Sequence, residues 1–214
     1  MNLKLVQTLT LIAAAVTTGV TAGTLAAFAY SVIPGLRHTD DRTYVTAMNE
    51  MNKSILNGWF LFCFMGGLLF IIAAGALHLH RTDRPVLYWL IAAVVLYGAV
   101  LLITSGVNVP LNNTMLHDAD HHVASFTAIR EHFDSKWATW NVIRVVVNIA
   151  AMVAIAGALV AHGHTSNNAH STLQHAAQAP AAGEAEPSSI ERREPGACAQ
   201  SPFSTERIMV LGCP

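Results

Sequence analysis

The sequence predicts an all-α fold, a four-helix transmembrane bundle with short amphipathic helices in its two long loops. Only 12% of the 214 residues are charged and 53% are hydrophobic, whereas soluble domains carry about 25% charged residues. Four apolar segments approach or exceed the roughly 20 residues that a helix needs to cross a bilayer. The formal net charge of −1 provides no field that would recruit nucleic acid. We therefore expect the lipid bilayer as partner and a multi-pass protein of the bacterial cytoplasmic membrane.

The predicted membrane domain covers residues 1–162. Its four spans are residues 5–36, 59–77, 86–107 and 138–160. The first span follows Lys4 and resembles a signal peptide that would be cleaved after Ala29. Its apolar stretch is longer than the roughly 7–15 residues usual in such peptides, so we expect an uncleaved span.

Two long connections, residues 34–58 and 109–137, lie on one side of the membrane if the chain crosses it four times. Both repeat apolar residues at helical intervals, which predicts an amphipathic helix in each and a partial lid over that end of the bundle. The residues with this spacing are Tyr44, Met48, Met51 or Asn52, and Ile55 in the first connection, and Phe126, Ile129, Phe133 and Trp137 in the second.

The short turn at residues 78–85 and both termini lie on the opposite side in this arrangement. By raw count, Lys and Arg favour the long connections as the cytoplasmic side. By density they favour the short turn, which holds Arg81 and Arg84 beside the span ends. The positive-inside rule weighs residues near spans in short loops, so we expect the short turn in the cytoplasm.

The composition changes at residue 163. Residues 163–214 are rich in Ala, Ser, Pro, His and Glu and have no apolar period, which predicts a disordered low-complexity tail. The three cysteines, Cys63, Cys198 and Cys213, form no CxxC pair, so they indicate neither a disulfide framework nor a metal site.

The fourth span carries polar side chains that are costly in lipid and therefore informative. Trp137, Asn141, Arg144 and Asn148 fall along one helical stripe because they are spaced by four, three and four residues. One interpretation is that Arg144 extends back to the headgroups, with Trp137 and Trp140 in an interfacial belt. The other is that the stripe faces a polar cavity, which also explains the two asparagines.

The third span ends in a second polar stripe, in which Thr104, Asn108 and Asn112 recur every four residues. Pro110 lacks an amide hydrogen, which predicts a kink or helix end between the two asparagines. The stripe then faces one neighbour, and we expect that neighbour to be the stripe of Arg144. Alternatively, the asparagines only satisfy the backbone at the kink.

Other polar residues lie at the span ends. Asn57 precedes Trp59 and predicts a turn or helix cap, and Glu50 would be a partner for Arg144 if it faced inward. His117 and His121 have the spacing of two metal ligands on a helix, but no motif supplies a third ligand. The two histidines could instead belong to a solvated cluster, or one of them could be a general base near the cavity mouth. The histidines of residues 78–80 and 162–164 could meet around a metal ion, but we assign no metal site.

Two motifs together resemble the anthrone-oxygenase-like family of small four-span membrane proteins. They are the segment from Asn108 to Asn112 (Asn-Val-Pro-Leu-Asn) and the Trp137, Asn141 and Arg144 pattern that opens span four. Pro34, Asn57 and Trp59 also match. The resemblance covers about residues 5–160 and implies oxidation of anthrones to anthraquinones by O₂ without a recognised cofactor.

The resemblance therefore implies a cofactor-independent oxygenase for an anthrone-like or other lipophilic aromatic compound. Arg144 with Asn108 or Asn112 would bind the oxyanion, and position suggests His117 or His121 as proton acceptor. The expected substrate-binding residues are Trp137, Trp140, Asn141, Asn57, Trp59, Thr104 and Asn148. Two alternatives stay open, a membrane protein that binds or moves a small lipophilic ligand and a structural bundle. The sequence assigns no oligomeric state.

Overall fold

The structure is a computed structural model that describes residues 3–80 and 84–178, without the side chains of residues 166 and 168–178. The chain divides into two units, residues 1–176, which hold the helical bundle, and residues 177–214. The described residues contain no β-strand. The α-helices are α1 (Leu3–Ala27), α2 (Ile33–Arg37), α3 (Asp41–Ile55), α4 (Gly58–Leu77), α5 (Arg84–Ile103), α6 (Val109–Asp120) and α7 (Phe126–Gln178).

Two π-helical segments join these helices into longer rods. Phe28–Val32 joins α1 to α2, and Thr104–Asn108 joins α5 to α6. Four rods are long and apolar enough to cross a membrane, Leu3–Arg37, Gly58–Leu77, Arg84–Asp120 and Phe126–Thr165. The predicted all-α, four-span architecture is confirmed, and it supports a multi-pass integral membrane protein.

The structure corrects two predicted boundaries. The third rod does not end near Pro110 but continues to Asp120. The second amphipathic helix forms the first turns of α7 and is continuous with the fourth rod. Helix α7 also runs through Gln178, so the predicted tail does not begin at residue 163. The predicted disorder of residues 179–214 lies outside the described residues.

Local capping fixes where α3 and α4 begin. The Asp40 carboxylate accepts a hydrogen bond from the Thr43 amide at 3.0 Å, and the Asn57 side chain accepts one from the Phe60 amide at 3.0 Å. Both residues have extended backbone conformations, as N-caps do. The prediction of a turn or cap at Asn57 is confirmed.

The main core lies between α1, α4, α5 and α7. Each of these helices contributes a fully buried alanine, and small residues of this kind let helices approach closely. The four alanines are Ala14, Ala74, Ala93 and Ala151. Tyr97 is also fully buried in this core, and its hydroxyl donates to the Phe64 carbonyl at 2.9 Å.

The outer surface of this core is apolar, while several polar side chains are buried inside it. Exposed large hydrophobic residues include Phe62 and Leu69 on α4, Val95 on α5, and Val146 and Val153 on α7. A water-soluble protein would not expose such a belt, whereas a bilayer covers it.

Ion pairs at the long-loop end hold α2 and α3 against α7. Arg130 donates to Asp41 at 2.9 Å, and Arg37 donates to Asp134 at 2.9 Å. Tyr44 donates to the same Asp134 carboxylate at 2.8 Å, and burial together with this bond raises the pKa of Tyr44. A hydrogen bond from Thr127 and the charge of Arg130 lower the pKa of Asp41.

Gly67→Ala tests how closely α4 and α5 pack. A Cβ atom at Gly67 would lie 2.7 Å from the Tyr97 hydroxyl oxygen and 2.8 Å from the adjacent ring carbon. We expect a loss of about 1–3 kcal/mol, measured as a lower Tm in detergent, because the core must shift to accept the methyl group. Gly75→Ala on the same helix is the matched control, since its Cβ would meet nothing within 4 Å. Equal Tm values would contradict this packing.

Candidate functional site

A cavity of about 310 Å³ opens at the long-loop end of the bundle, between the outer ends of the spans and α3. Its walls are mixed, with aromatic and aliphatic side chains beside a cluster of carboxamides. The aromatic members are Phe28, Phe60, Phe64 and Trp137. The polar members are Thr24, Asn49, Asn52, Lys53, Thr104, Ser105, Asn108, Asn112, Asn113, Asn141 and Arg144.

Both π-helical segments contribute to this cavity. Each ends two residues before a proline, Pro34 in one rod and Pro110 in the other. Within the second segment the Val109 amide donates to the Thr104 carbonyl, five residues back instead of four. The wider turn places both Thr104 and Asn108 on the cavity wall. Such π-helical segments occur often at functional sites.

Arg144 turns inward from α7 and is only 4% exposed. Its guanidinium donates to Thr104 Oγ1 at 3.2 Å and to Asn141 Oδ1 at 2.9 Å, and its centre lies 5.6 Å from the Trp137 ring centroid. The ion pairs of the described residues do not include Arg144. Glu50 pairs instead with Lys53 at 3.0 Å. The guanidinium is therefore a buried cation held by neutral groups.

Two asparagines connect the helices around Arg144. Asn141 Nδ2 donates to the Leu25 carbonyl at 3.0 Å and so connects α7 to α1. Asn108 Nδ2 donates to the Trp137 carbonyl at 3.4 Å and connects the third rod to α7. These contacts realise the predicted meeting of the two polar stripes.

Several buried polar atoms around the cavity have no hydrogen-bond partner within the described part of the protein. The donors are Asn52 Nδ2, Trp137 Nε1 and Arg144 Nε, and the acceptors are Asn49 Oδ1, Asn108 Oδ1 and Asn112 Oδ1. Leaving such a group unsatisfied costs about 1–3 kcal/mol, so this many in one place indicates a site for a polar ligand or water.

The family model described as anthrone oxygenase matches residues 59–154. Residues 59–154 belong to an anthrone-oxygenase-like family. The matched region is shorter than the range of about residues 5–160 over which the sequence resembles the family. No curated protein and no solved structure matches the chain.

The anthrone-oxygenase-like region supplies most of the polar wall, with Arg144, Asn141, Asn108 and Asn112. The rest of the cavity comes from α1, the first π-helical segment and α3, which precede that region. The predicted site residues that line the cavity are Arg144, Asn108, Asn112, Trp137, Asn141 and Thr104.

The other predicted site residues lie outside the cavity wall. His117 and His121 are exposed near the end of α6, with ring centroids 4.7 Å apart. Trp59 is exposed, Trp140 is 37% exposed, and Asn57 caps α4. Asn148 is fully buried deeper in α7, and both polar atoms of its side chain lack a partner among the described residues.

The helix α3 was expected to form part of a lid, but no site role was predicted for its Asn49, Asn52 or Lys53. Asn49 and Asn52 are three residues apart and line the cavity with Lys53. The signal was present, since polar residues lay next to the buried Met48 on a helix expected to cover the bundle. The hydrogen bond to Glu50 raises the pKa of Lys53, which keeps it cationic.

The cavity wall contains two titratable side chains, Lys53 and Arg144, among the described residues. Both are cations at neutral pH, and the described lining residues include no carboxylate or imidazole. No group of three or more metal-ligating side chains is present in the described part of the chain. The arrangement therefore favours an anionic or oxyanion-forming ligand with an apolar body.

Asn141→Leu tests whether Asn141 supports Arg144. We expect a loss of about 1.5–3 kcal/mol, because the change removes the bond to the guanidinium and the bond to the Leu25 carbonyl. Asn148→Leu is the matched control on the same helix, and it should leave stability unchanged or raise it, since that amide has no partner among the described residues. Thermal unfolding in detergent measures both. A smaller loss for Asn141→Leu than for Asn148→Leu would contradict the assignment.

Proposed function

We propose that the chain is a membrane oxygenase that uses O₂ to oxidise an anthrone-like or related lipophilic aromatic compound, with no cofactor. The observation that carries the proposal is the buried Arg144 in an aromatic-walled cavity. Its Nε and several carboxamide atoms near it have no hydrogen-bond partner among the described residues. Membership of residues 59–154 in an anthrone-oxygenase-like family supports the reaction class.

The apolar half of the cavity suits a planar ring system. Phe60 and Phe64 stack at 5.3 Å, and Trp137 lies 5.8 Å from Phe28. Small-molecule cavities usually measure about 300–1,000 Å³, so a volume of about 310 Å³ suits a ligand of a few fused rings. A cavity at this end of the bundle is also close to the lipid in which such a compound dissolves.

The polar half suits the charge that develops in the reaction. Loss of a proton from the ring carbon opposite the carbonyl turns an anthrone into an enolate, with negative charge on oxygen. Arg144 Nε and Asn52 Nδ2 have no partner among the described residues and are the donors available to that oxygen. Unpartnered acceptors on Asn108 and Asn112 suit ring hydroxyl groups. Preorganised donors of this kind stabilise an oxyanion without reorganisation.

The overall reaction balances without another oxidant. The enolate carbon bonds to O₂ to give a hydroperoxide after protonation, and loss of one water forms the new carbonyl. Substrate and O₂ thus yield quinone and water. Because the titratable groups of the wall are both cationic, we propose that the first proton leaves to water at the cavity mouth, with Arg144 lowering the energy of the enolate.

A second candidate is a protein that binds or carries a lipophilic anion without transforming it. The composition of the cavity wall favours it, since the described lining residues include no side chain that would act as general base. The two candidates share the ligand and differ in turnover. Measurement of O₂ consumption alongside ligand binding distinguishes them.

Arg144→Met removes the guanidinium while keeping much of the side-chain volume. If Arg144 stabilises the enolate, turnover of an anthrone in detergent or proteoliposomes should fall about 10²–10³-fold, the usual cost of one oxyanion donor. O₂ uptake and quinone absorbance measure it, and gel filtration checks folding. Asn148→Leu is the matched control and should keep wild-type turnover. A folded Arg144→Met protein with wild-type turnover and binding would falsify the proposed site.

His117→Ala with His121→Ala tests where the proton goes. Both imidazoles are exposed and outside the cavity wall, so we expect the double variant to keep turnover within about twofold of wild type. Steady-state rates over a range of pH measure this. A large loss of turnover with retained binding would instead make one of these histidines the general base.

A further inference from the structure

The wall of the cavity is exposed on one side. Among the described lining residues, the exposed ones lie on α4, on the third rod and at the C-terminal end of α3. The described lining residues of α1, the first π-helical segment and α7 are buried or half-buried. The cavity therefore opens between α4 and the third rod, and not on the side of α1 and α7.

One part of this opening is mostly apolar. Leu61 and Met65 on α4 are 41% and 46% exposed, and Val109 on the third rod is 41% exposed. Ser105 on the same rod is also exposed and is the polar member of the group. We call the part that these four residues line the lateral opening. An exposed apolar surface of this kind suits contact with lipid better than contact with water.

The lateral opening lies at the depth of the acyl chains. Trp59 near the start of α4 is 70% exposed, and exposed tryptophans at span ends mark the membrane interface. Leu61 and Met65 follow Trp59 in the helix, about 3 and 9 Å farther into the span at about 1.5 Å per residue. On the third rod, Leu102 comes shortly before Ser105 and is 75% exposed in an apolar helix. Compounds dissolved in the bilayer therefore meet this opening directly.

Helix α3 covers the cavity at the end of the bundle. Met48 is fully buried and packs in one cluster with Met115 of the third rod. Asn49 lines the cavity and is only 6% exposed, so α3 leaves little access along the bundle axis. Lys53 and Asn113 are exposed lining residues, and we call them the polar edge of the opening. The cavity thus has an apolar opening that suits lipid and a polar edge that suits water.

We propose that ligands enter the cavity from the bilayer through the lateral opening, so that the site takes flat ring compounds dissolved in lipid and excludes water-soluble ones. Entry in this direction brings the leading edge of the ring to Arg144 while its trailing edge stays in contact with lipid. The polar edge is left for protons and water. The inference deepens the proposed function and rests on it for the chemical class of the ligand.

The energetic balance favours this route. A fused-ring compound leaves water for the bilayer because its apolar surface is costly to hydrate, so most of the compound is in lipid. Passage from lipid past Leu61, Met65 and Val109 exchanges one apolar environment for another. Passage over the polar edge would bring the ring against the strongly hydrated ammonium group of Lys53. The lateral opening therefore draws on the larger pool of ligand and presents the lower barrier.

Thiol labelling of the full chain in proteoliposomes tests the proposal. Cys198→Ser and Cys213→Ser leave Cys63, which is buried and outside the cavity wall, and this parent protein measures the background. Thr104→Cys places a thiol inside the cavity, and Leu25→Cys is a second interior probe on another helix in case the first does not fold. The lipid-soluble reagent is N-(1-pyrenyl)maleimide, a flat polycycle that fluoresces after reaction. The reagent that stays in water is the charged sulfonatoethyl methanethiosulfonate.

Met65→Trp and Val109→Trp each add a bulky ring to one wall of the lateral opening. We expect either variant to slow pyrene labelling of the interior thiol about tenfold, at the low end of the range over which association rates vary among variants of one site. Leu69→Trp is the matched control for Met65→Trp, since Leu69 is exposed on the same helix but outside the cavity wall. Asn113→Trp narrows the polar edge instead. Both of these variants should keep the labelling rate of the parent, and the charged reagent should label the interior thiol slowly in every protein.

Four outcomes would overturn the proposal. The first is slower pyrene labelling in Asn113→Trp than in Met65→Trp, which would put the entrance at the polar edge. The second is equal labelling in all variants. The third is fast labelling by the charged reagent, which would mean entry from water. The fourth is no pyrene labelling of either interior thiol in folded protein, which would mean that flat rings do not enter.

The labelling needs neither O₂ nor turnover, so its result is separable from the proposed function. Labelling through the lateral opening, with no O₂ uptake by the wild-type protein on addition of an anthrone, would refute the oxygenase and keep the entrance. Oxidation of the anthrone together with labelling over the polar edge would keep the oxygenase and refute the entrance.

Discussion

The arrangement of the cavity end depends on one buried cation, the guanidinium of Arg144. A charge inside a bundle with an apolar exterior is expensive unless neighbouring groups solvate it. Thr104 and Asn141 do so with two hydrogen bonds, and Asn141 is in turn held by the Leu25 carbonyl. Three of the four rods therefore converge on this residue. The Nε–H of Arg144 has no hydrogen-bond partner among the described residues and is available to a ligand in the cavity.

The sequence was sufficient to predict the two polar stripes that meet at Arg144. Thr104, Asn108 and Asn112 recur every four residues and so share one face of the helix. Because polar side chains are costly in lipid, that face had to meet another part of the protein. Roles for His117 and His121 rested on their spacing and on their expected position near the cavity mouth, and the structure puts both rings on an exposed helix end. Spacing along a helix says which residues share a face but not what that face meets.

Other parts of the site could not be predicted for physical reasons. Phe60 and Phe64 line the cavity, but aromatic residues in a membrane span look the same in sequence whether they face lipid or ligand. Residues 109–120 have the polarity of a loop, yet the helix continues through them because α3 packs against it through Met48 and Met115. The path of α3 depends on turns whose direction only the folded chain reveals.

Each π-helical segment holds one residue more than an α-helix of the same number of turns. Removing one residue from positions 105–108 would restore a regular α-helix and rotate the helix beyond that point by about 100°. Thr104 would then keep its register with Arg144 while Asn112 and Leu116 turned away from the cavity. Gly106 meets nothing within 4 Å of where its Cβ would be. Position 106 thus tolerates a change of residue far better than the segment tolerates a change of length, so the residue count of the segment helps to set the shape of the site.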